Sequence, residues 1–340
     1  MTNLFNRGLV KVGALVLGTL VAQGCVLKQK ESDASKFQEV IPQAEAVQVA
    51  GPEDGQAAGS GTQSIQSDEP WADGPWAKWY GFTRHVRKGV NGVTGVILGS
   101  VWILVHTQPT NVSDKQATWG PYTDALEPVA WRFRITQVGD KEYDYFLEGR
   151  PKASKSESDY LQVLTGKGWA KGHPNHGDGF FEIDLDKAKE LDPFEHQGDS
   201  GTLKVTHDLP PNITTNIDAQ PRSITAEVHP ANTEQWFKAT SNSKQDGTGT
   251  LFIDAFADAD DSNMTQPENI TFKSQWTAQG AGRADVNISG GDVPDAVSPV
   301  TAVECWGNDF YRVYYKDSID YSAAEGEASQ CAFSTPAQAD

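Results

Sequence analysis

The sequence predicts an α+β fold of mainly antiparallel β-structure, a curved sheet or partial β-barrel around one long N-terminal helix. Three observations predict it. A single helical period runs from Pro75 to His106. Beyond Ala117 the period switches to alternation between apolar and polar residues. Turn-forming clusters then recur at short intervals with almost no helical pattern between them, which builds antiparallel sheets.

In the helical stretch, Trp79, Phe82, Val86, Val90, Val93, Ile97, Val101 and Leu104 recur at steps of three and four. Pro75 suits the first turn and Pro109 stops the helix. Asn91, Thr94 and Ser100 interrupt the apolar part, Val90–Val105, which falls short of the roughly 20 residues of a membrane span. The expectation is therefore a buried core helix. Gly89, Gly92, Gly95 and Gly99 lie close to one line on it. Each glycine costs about 1 kcal/mol against alanine, so close approach to a packed neighbour is expected there.

The first strands are legible in Trp131–Thr136 and in Tyr143, Tyr145 and Leu147, joined by a turn at Gly139-Asp140. Further strands are expected at 161–164, 181–185, 203–205, 224–228, 236–239, 251–257, 270–276, 284–288 and 310–315, about eleven in all. Asp186–Leu191 reads as a short helical turn. The stretch from Val303 to Ser318 reads as one final strand, and the end of the chain as frayed.

The chain opens differently. Arg7 and Lys11 precede an apolar run from Val12 to Ala22, and the run ends in Ala22-Gln23-Gly24-Cys25. Positive start, short apolar core and small residues before a cut are the order of a secretory signal. These four residues resemble the lipobox of bacterial lipoproteins. The resemblance covers residues 1–25. It implies cleavage before Cys25, diacylglycerol on the Cys25 thiol, and a membrane anchor. Val26, where inner-membrane retention calls for aspartate, implies the outer membrane.

Three cysteines are present, so with Cys25 acylated a disulfide between Cys305 and Cys331 is expected in an oxidising compartment. The net charge of −18 argues against nucleic acid and anionic head groups as partners. Residues 25–70 read as an acidic, Gly/Ser-rich tether, although the apolar spacing in Lys36–Gly51 suits docking. The expected organisation is a signal over 1–24, the tether over 25–70, one domain over 71–333 and a frayed tail over 334–340.

Four clusters carry candidate chemistry. Gly198-Asp199-Ser200-Gly201 copies part of a serine-protease motif, but no upstream histidine segment matches, and a polar turn explains it. His173, His176 and Asp178 sit in a proline- and glycine-rich loop with too few ligands for zinc. Asp254, Asp258, Asp260, Asp261 and Asn263 form an oxygen-rich cluster of the kind calcium takes, without the EF-hand order. Ten tryptophans, nine tyrosines and fourteen phenylalanines supply core and leave some rings for sugar stacking or apolar surfaces. No reaction centre assembles from these. A structural or binding module is therefore expected first, then a carrier of lipid or another hydrophobic ligand in a cavity beside the helix, and last a hydrolase.

Overall fold

The computed structural model describes residues 34–52, 76–123, 125, 127–170, 174–194, 196, 200–210, 221–258, 266–319 and 324–338. Fifteen strands form one antiparallel sheet: β1 (Asn111–Val112), β2 (Gln116–Tyr122), β3 (Val129–Gly139), β4 (Glu142–Pro151), β5 (Leu161–Ala170), β6 (Gly177–Asp184), β7 (Thr202–Asp208) and β8 (Arg222–His229). They continue with β9 (Trp236–Ser243), β10 (Gly249–Ala257), β11 (Glu268–Trp276), β12 (Gly282–Ser289), β13 (Val300–Trp306), β14 (Arg312–Asp317) and β15 (Glu325–Gly326). Each strand pairs with the next one in the chain, so sheet order equals sequence order. The sheet is open and uncurled, so the partial barrel expected from strand number does not form. The stretch expected as one final strand is two, β13 and β14, because Gly307-Asn308-Asp309 turns the chain.

Alternation gives the sheet two faces. The residues of β10 alternate between buried and more exposed along its whole length, and β6 does the same. The buried side, here the covered face, carries Phe133, Ile135, Tyr145, Phe181, Val205, Ile253 and Phe272. Across it lies α2 (Lys78–Val105), whose bounds fall just inside the predicted ones. Its start sits over β13 and its end near β2 and β3, where Trp119 Nε1 donates to Thr107 O at 3.0 Å. The helix is about 42 Å long, and ten strand gaps span about 48 Å. It therefore crosses the strands rather than running along them. By length and composition α2 is apolar enough to cross a membrane, yet Val86, Val90, Thr94, Leu98, Val101 and Val105 are buried on the sheet side.

The start of α2 is held by the far end of the chain. Ala77 at its N-cap makes no side-chain cap. Glu304 of β13 takes that role, accepting from the amides of Lys78 and Trp79 at 3.1 and 2.5 Å and from Arg312 Nε at 2.7 Å. A carboxylate at a helix start satisfies orphan N–H groups and the positive dipole end together. Tyr80 stacks on Phe310 at 4.3 Å, and Thr83 Oγ1 reaches Ser274 Oγ at 3.2 Å.

The helix glycines do not approach a neighbour. A Cβ added at Gly92, Gly95 or Gly99 would meet nothing within 4 Å. Their line faces away from the sheet, with Ile103 at 62% exposure beyond it. The close approaches are in the sheet instead. A Cβ at Gly166 would sit 2.1 Å from the Tyr145 ring, and one at Gly168 would sit 2.7 Å from Val40.

Val40 belongs to the stretch assigned to the tether. Residues 34–52 are packed, with α1 (Ser35–Gln38) and a 3-10 turn at Ala44–Val47. Phe37, Ile41, Val47 and Val49 are fully buried, each gaining about 1.5–3 kcal/mol from burial. The segment runs antiparallel to α2. Gln38 Nε2 donates to Val105 O, and Asn91 holds both backbone groups of Val49, at 2.7 and 3.0 Å. Asn91, a polar interruption in the sequence, is thus a clamp. Its apolar spacing, not its acidic neighbours, decides the fate of this stretch.

The tail is also ordered over its described part. Cys305 and Cys331 form a disulfide. Phe333 O and Thr335 O accept from Arg283 and Gln275 of β12 and β11, and Ala337 is buried. The fraying expected from Ser334 onward therefore does not apply to residues 334–338. The tail lies on the second side of the sheet, the open face. A loop over residues 152–160 covers another part of that face. Its Tyr160 ring lies 3.7 Å from Arg132 and 4.6 Å from Arg150, and buried Glu148 pairs with Arg132 and Arg134 at 2.7 and 2.9 Å. The short helix α3 (Leu185–Leu191), close to the expected 186–191, starts with Asp184 accepting from the Lys187 amide.

Candidate functional site

Strand register arranges the open face in transverse rows. One row runs Trp169, Asp178, Asp208, Ser223 and Asn242 over β5 to β9. Two residues along, the next runs Lys167, Phe180, Thr206, Thr225 and Thr240. The third alternates in charge: Glu182, Lys204, Glu227, Lys238 and Asp254. Lys238 and Glu227 pair at 2.9 Å within it. Among the described residues, neither the 152–160 loop nor the tail covers the first two rows between β5 and β8.

There the face holds a groove of about 410 Å³, lined by Trp169, Asp178, Phe180, Lys204, Thr206 and Asp208, with Ser223 and Thr225 at its far side. That volume falls in the range of small-ligand sites. Trp169 is 39% exposed. The Lys204 ammonium lies 4.8 Å from the Phe180 ring centre, and Thr225 Oγ1 bonds Thr240 Oγ1 at 3.1 Å. Beneath, Gly179 leaves room for buried His207, whose Nε2 would lie 2.8 Å from a Cβ there. Asp178 and Asp208 stand directly opposite each other on neighbouring strands.

The clusters singled out in the sequence fare unevenly. Asp254 lies inside β10, opposite Lys238 and Thr271 in the alternating row. Asp258 follows four residues later, about 13 Å along the strand direction, so the two do not share an ion. This separates Asp254 from the cluster drawn from spacing alone: an extended strand spreads residues that a loop would gather. Asp260, Asp261 and Asn263 lie outside the described residues, as do Cys25, His173, Gly198 and Asp199. Among the described residues no group of three or more His, Cys, Asp or Glu is placed to hold a metal ion. His176 is half-buried, and its Nδ1 lies 2.9 Å from Pro174 O. The neighbouring Asn175 has the structural task in that loop. Its Nδ2 donates to Gln38 O and Ile41 O, and its amide donates to Glu39 O, pinning residues 34–52. Gly201 has φ +88°, and a Cβ there would meet His229 O at 2.1 Å. The turn reading of that tetrapeptide accounts for its glycine. His106, the C-cap of α2, has its Nδ1 2.8 Å from Trp102 O.

No family model matches the chain, and no curated protein or solved structure matches it. The site is therefore read from its own geometry.

Sequence reasoning missed Glu304, Asn175 and the groove. The first had a visible signal: in Ala302, Glu304 and Trp306 an acid occupies an inward position of an apolar strand. Burial pushes its carboxyl above the usual range, with the Trp79 amide and Arg312 pulling the other way. The groove had none, since its residues come from four strands whose register is set only by folding.

Proposed function

We propose that the chain is a membrane-anchored lipoprotein of the cell envelope, on the outer membrane, acting as a binding module without chemistry of its own. Cys25 carries the lipid, and the open-face groove over β5 to β8 is the binding surface. The groove is the observation that carries the binding role. It lies on paired strands rather than on a loop, so its side chains are held in place by the sheet ladder. The space beside α2, where a hydrophobic carrier needs a cavity, is occupied by residues 34–52. This favours a ligand bound at the open face.

Among the described residues packing begins at Ala34, which shortens the leash. Eight residues lie between it and Cys25, so the nine steps span at most about 32 Å of extended chain. The domain therefore works close to the bilayer.

Replacing Cys25 by Ser tests the anchor. The variant is expected in the soluble fraction and the parent in the outer-membrane fraction. If the variant stays in the membrane and resists alkaline extraction, α2 rather than lipid is the anchor, and the reading fails.

A further inference from the structure

We infer that the arginine cluster beside residues 152–160 is a binding site for a phosphate group, and that the Glu157 carboxylate occupies the place of the ligand's oxygens. The site lies apart from the groove over β5 to β8 and does not depend on the anchor. Three guanidiniums gather there in a chain of net charge −18. Alternation on β3 and β4 puts Arg132, Arg134, Glu148 and Arg150 on the open face, with Arg132 opposite Glu148 and Arg134 opposite Phe146. Buried Glu148 accepts from Arg132 Nε at 2.7 Å and from Arg134 Nη2 at 2.9 Å, so both of its oxygens are engaged. Arg132 Nη1 donates to Glu157 Oε2 at 2.5 Å, and Arg150 Nη1 lies 3.7 Å from Glu157 Oε1. Arg132 and Arg150 both lie over the Tyr160 ring, which holds them as a pair. Arg150 is buried, and neither its Nε nor that of Arg134 has a protein acceptor.

The two glutamates differ in how firmly they are held. Glu148 is part of the sheet floor. The Glu157 side chain is 73% exposed and stands on a single 3-10 turn, Glu157–Asp159. Exposed ion pairs are weak, so this carboxylate can swing into water and leave Arg132 and Arg150 to another oxyanion. All three arginines act on it: Arg132 first, then Arg150 and Arg134, hold its carboxyl below the usual range.

The charge count selects the ligand. Three guanidiniums against Glu148 leave a surplus of two positive charges, and Glu157 cancels one of them. Asp159 is taken by the Ser154 and Ser158 hydroxyls, at 2.5 and 3.2 Å. A single carboxylate would only repeat what Glu157 does. A phosphate monoester carries about −1.5 to −2 at pH 7 and cancels the whole surplus. The arginine fork also matches its oxygens. The acidity of the whole chain does not oppose this at close range, because physiological salt screens charges beyond about 8 Å. A phosphate in solution and one on a lipid head group present the same oxygens.

The test is calorimetric titration of the full chain in neutral detergent with inorganic phosphate, glycerol 3-phosphate, a short-chain phosphatidic acid and acetate. Glu157→Ala, which removes the internal competitor, is expected to bind at least one phosphate probe tenfold or more tighter than the parent. Adding Arg132→Gln is expected to abolish that gain. Melting curves check folding, and Arg134→Gln, at a more exposed arginine, replaces Arg132→Gln if that variant does not fold. Binding of the soluble phosphates marks a dissolved ligand, and binding of phosphatidic acid alone marks a lipid head group; each supports the site. Silence of Glu157→Ala toward every phosphate probe at millimolar concentration overturns the inference. So does equal affinity in the parent and Glu157→Ala, binding that ignores the arginine substitutions, or acetate binding as tightly as phosphate. The Cys25→Ser fractionation reports on the anchor independently, so the two proposals fail separately.

Discussion

The two faces of the one sheet are built by opposite rules. On the covered face, side chains are chosen for volume: glycine stands under tyrosine, and a helix and a strap fill what remains. On the open face they are chosen for what they present, in rows of acid, hydroxyl and alternating charge. The first face holds the fold and is intolerant of change; the second tolerates change and carries the groove. The difference locates function where packing is not already deciding the residue.

Substitutions at three positions sharpen that contrast. The largest effect is expected at Glu304, which is fully buried and caps α2 from β13. Glu304→Ala uncaps the helix and takes one partner from Arg312, at a cost of about 3–5 kcal/mol, read as a fall in the urea midpoint. The same residue gives a pH dependence. Its folded-state proton affinity is raised above the ordinary value of 4.5. The folded state then holds more protons than the unfolded chain, so this group's contribution is full below about pH 4.5 and declines as pH rises through the folded value. Glu304→Gln is expected to remove that decline, measured as a flatter stability profile than the parent's.

Next comes Gly166, where a Cβ would sit 2.1 Å from the Tyr145 ring. Gly166→Ala overpacks the covered face and is expected to cost about 1–3 kcal/mol in chemical denaturation. The smallest effect has the opposite sign. Gly95 on α2 has open space around its missing Cβ, so Gly95→Ala is expected to stabilise by up to about 1 kcal/mol, seen as a higher melting temperature. A destabilised Gly95→Ala protein would mean that something packs on that line after all.

That pair of glycines also shows how far the sequence could be read. The helical period of α2 and the alternation of β3 and β4 are local patterns, and they were legible to within a few residues, with both strands running further than read. The β13–β14 turn was missed because the apolar run around it looked continuous. The glycine line was visible, but not its direction, since helix periodicity says that residues share a side and not which side meets a neighbour. Phe37, Ile41, Val47 and Val49 were diluted by polar neighbours, and only their joint burial shows the segment to be core. The groove is non-local throughout. Trp169, Asp178, Asp208 and Ser223 become neighbours only through register, which no spacing rule encodes.

Because sheet order repeats chain order, each strand meets a partner made just before it, and the ladder can grow as the polypeptide emerges. The contacts at the start of α2 break this economy of distance. The amide of Lys78 waits 226 positions for the carboxylate of Glu304. Contacts that close such long loops form late and slowly. The long helix, laid down before any strand, is therefore secured nearly last, and any fragment ending before β13 keeps twelve paired strands yet leaves the head of that helix unlatched.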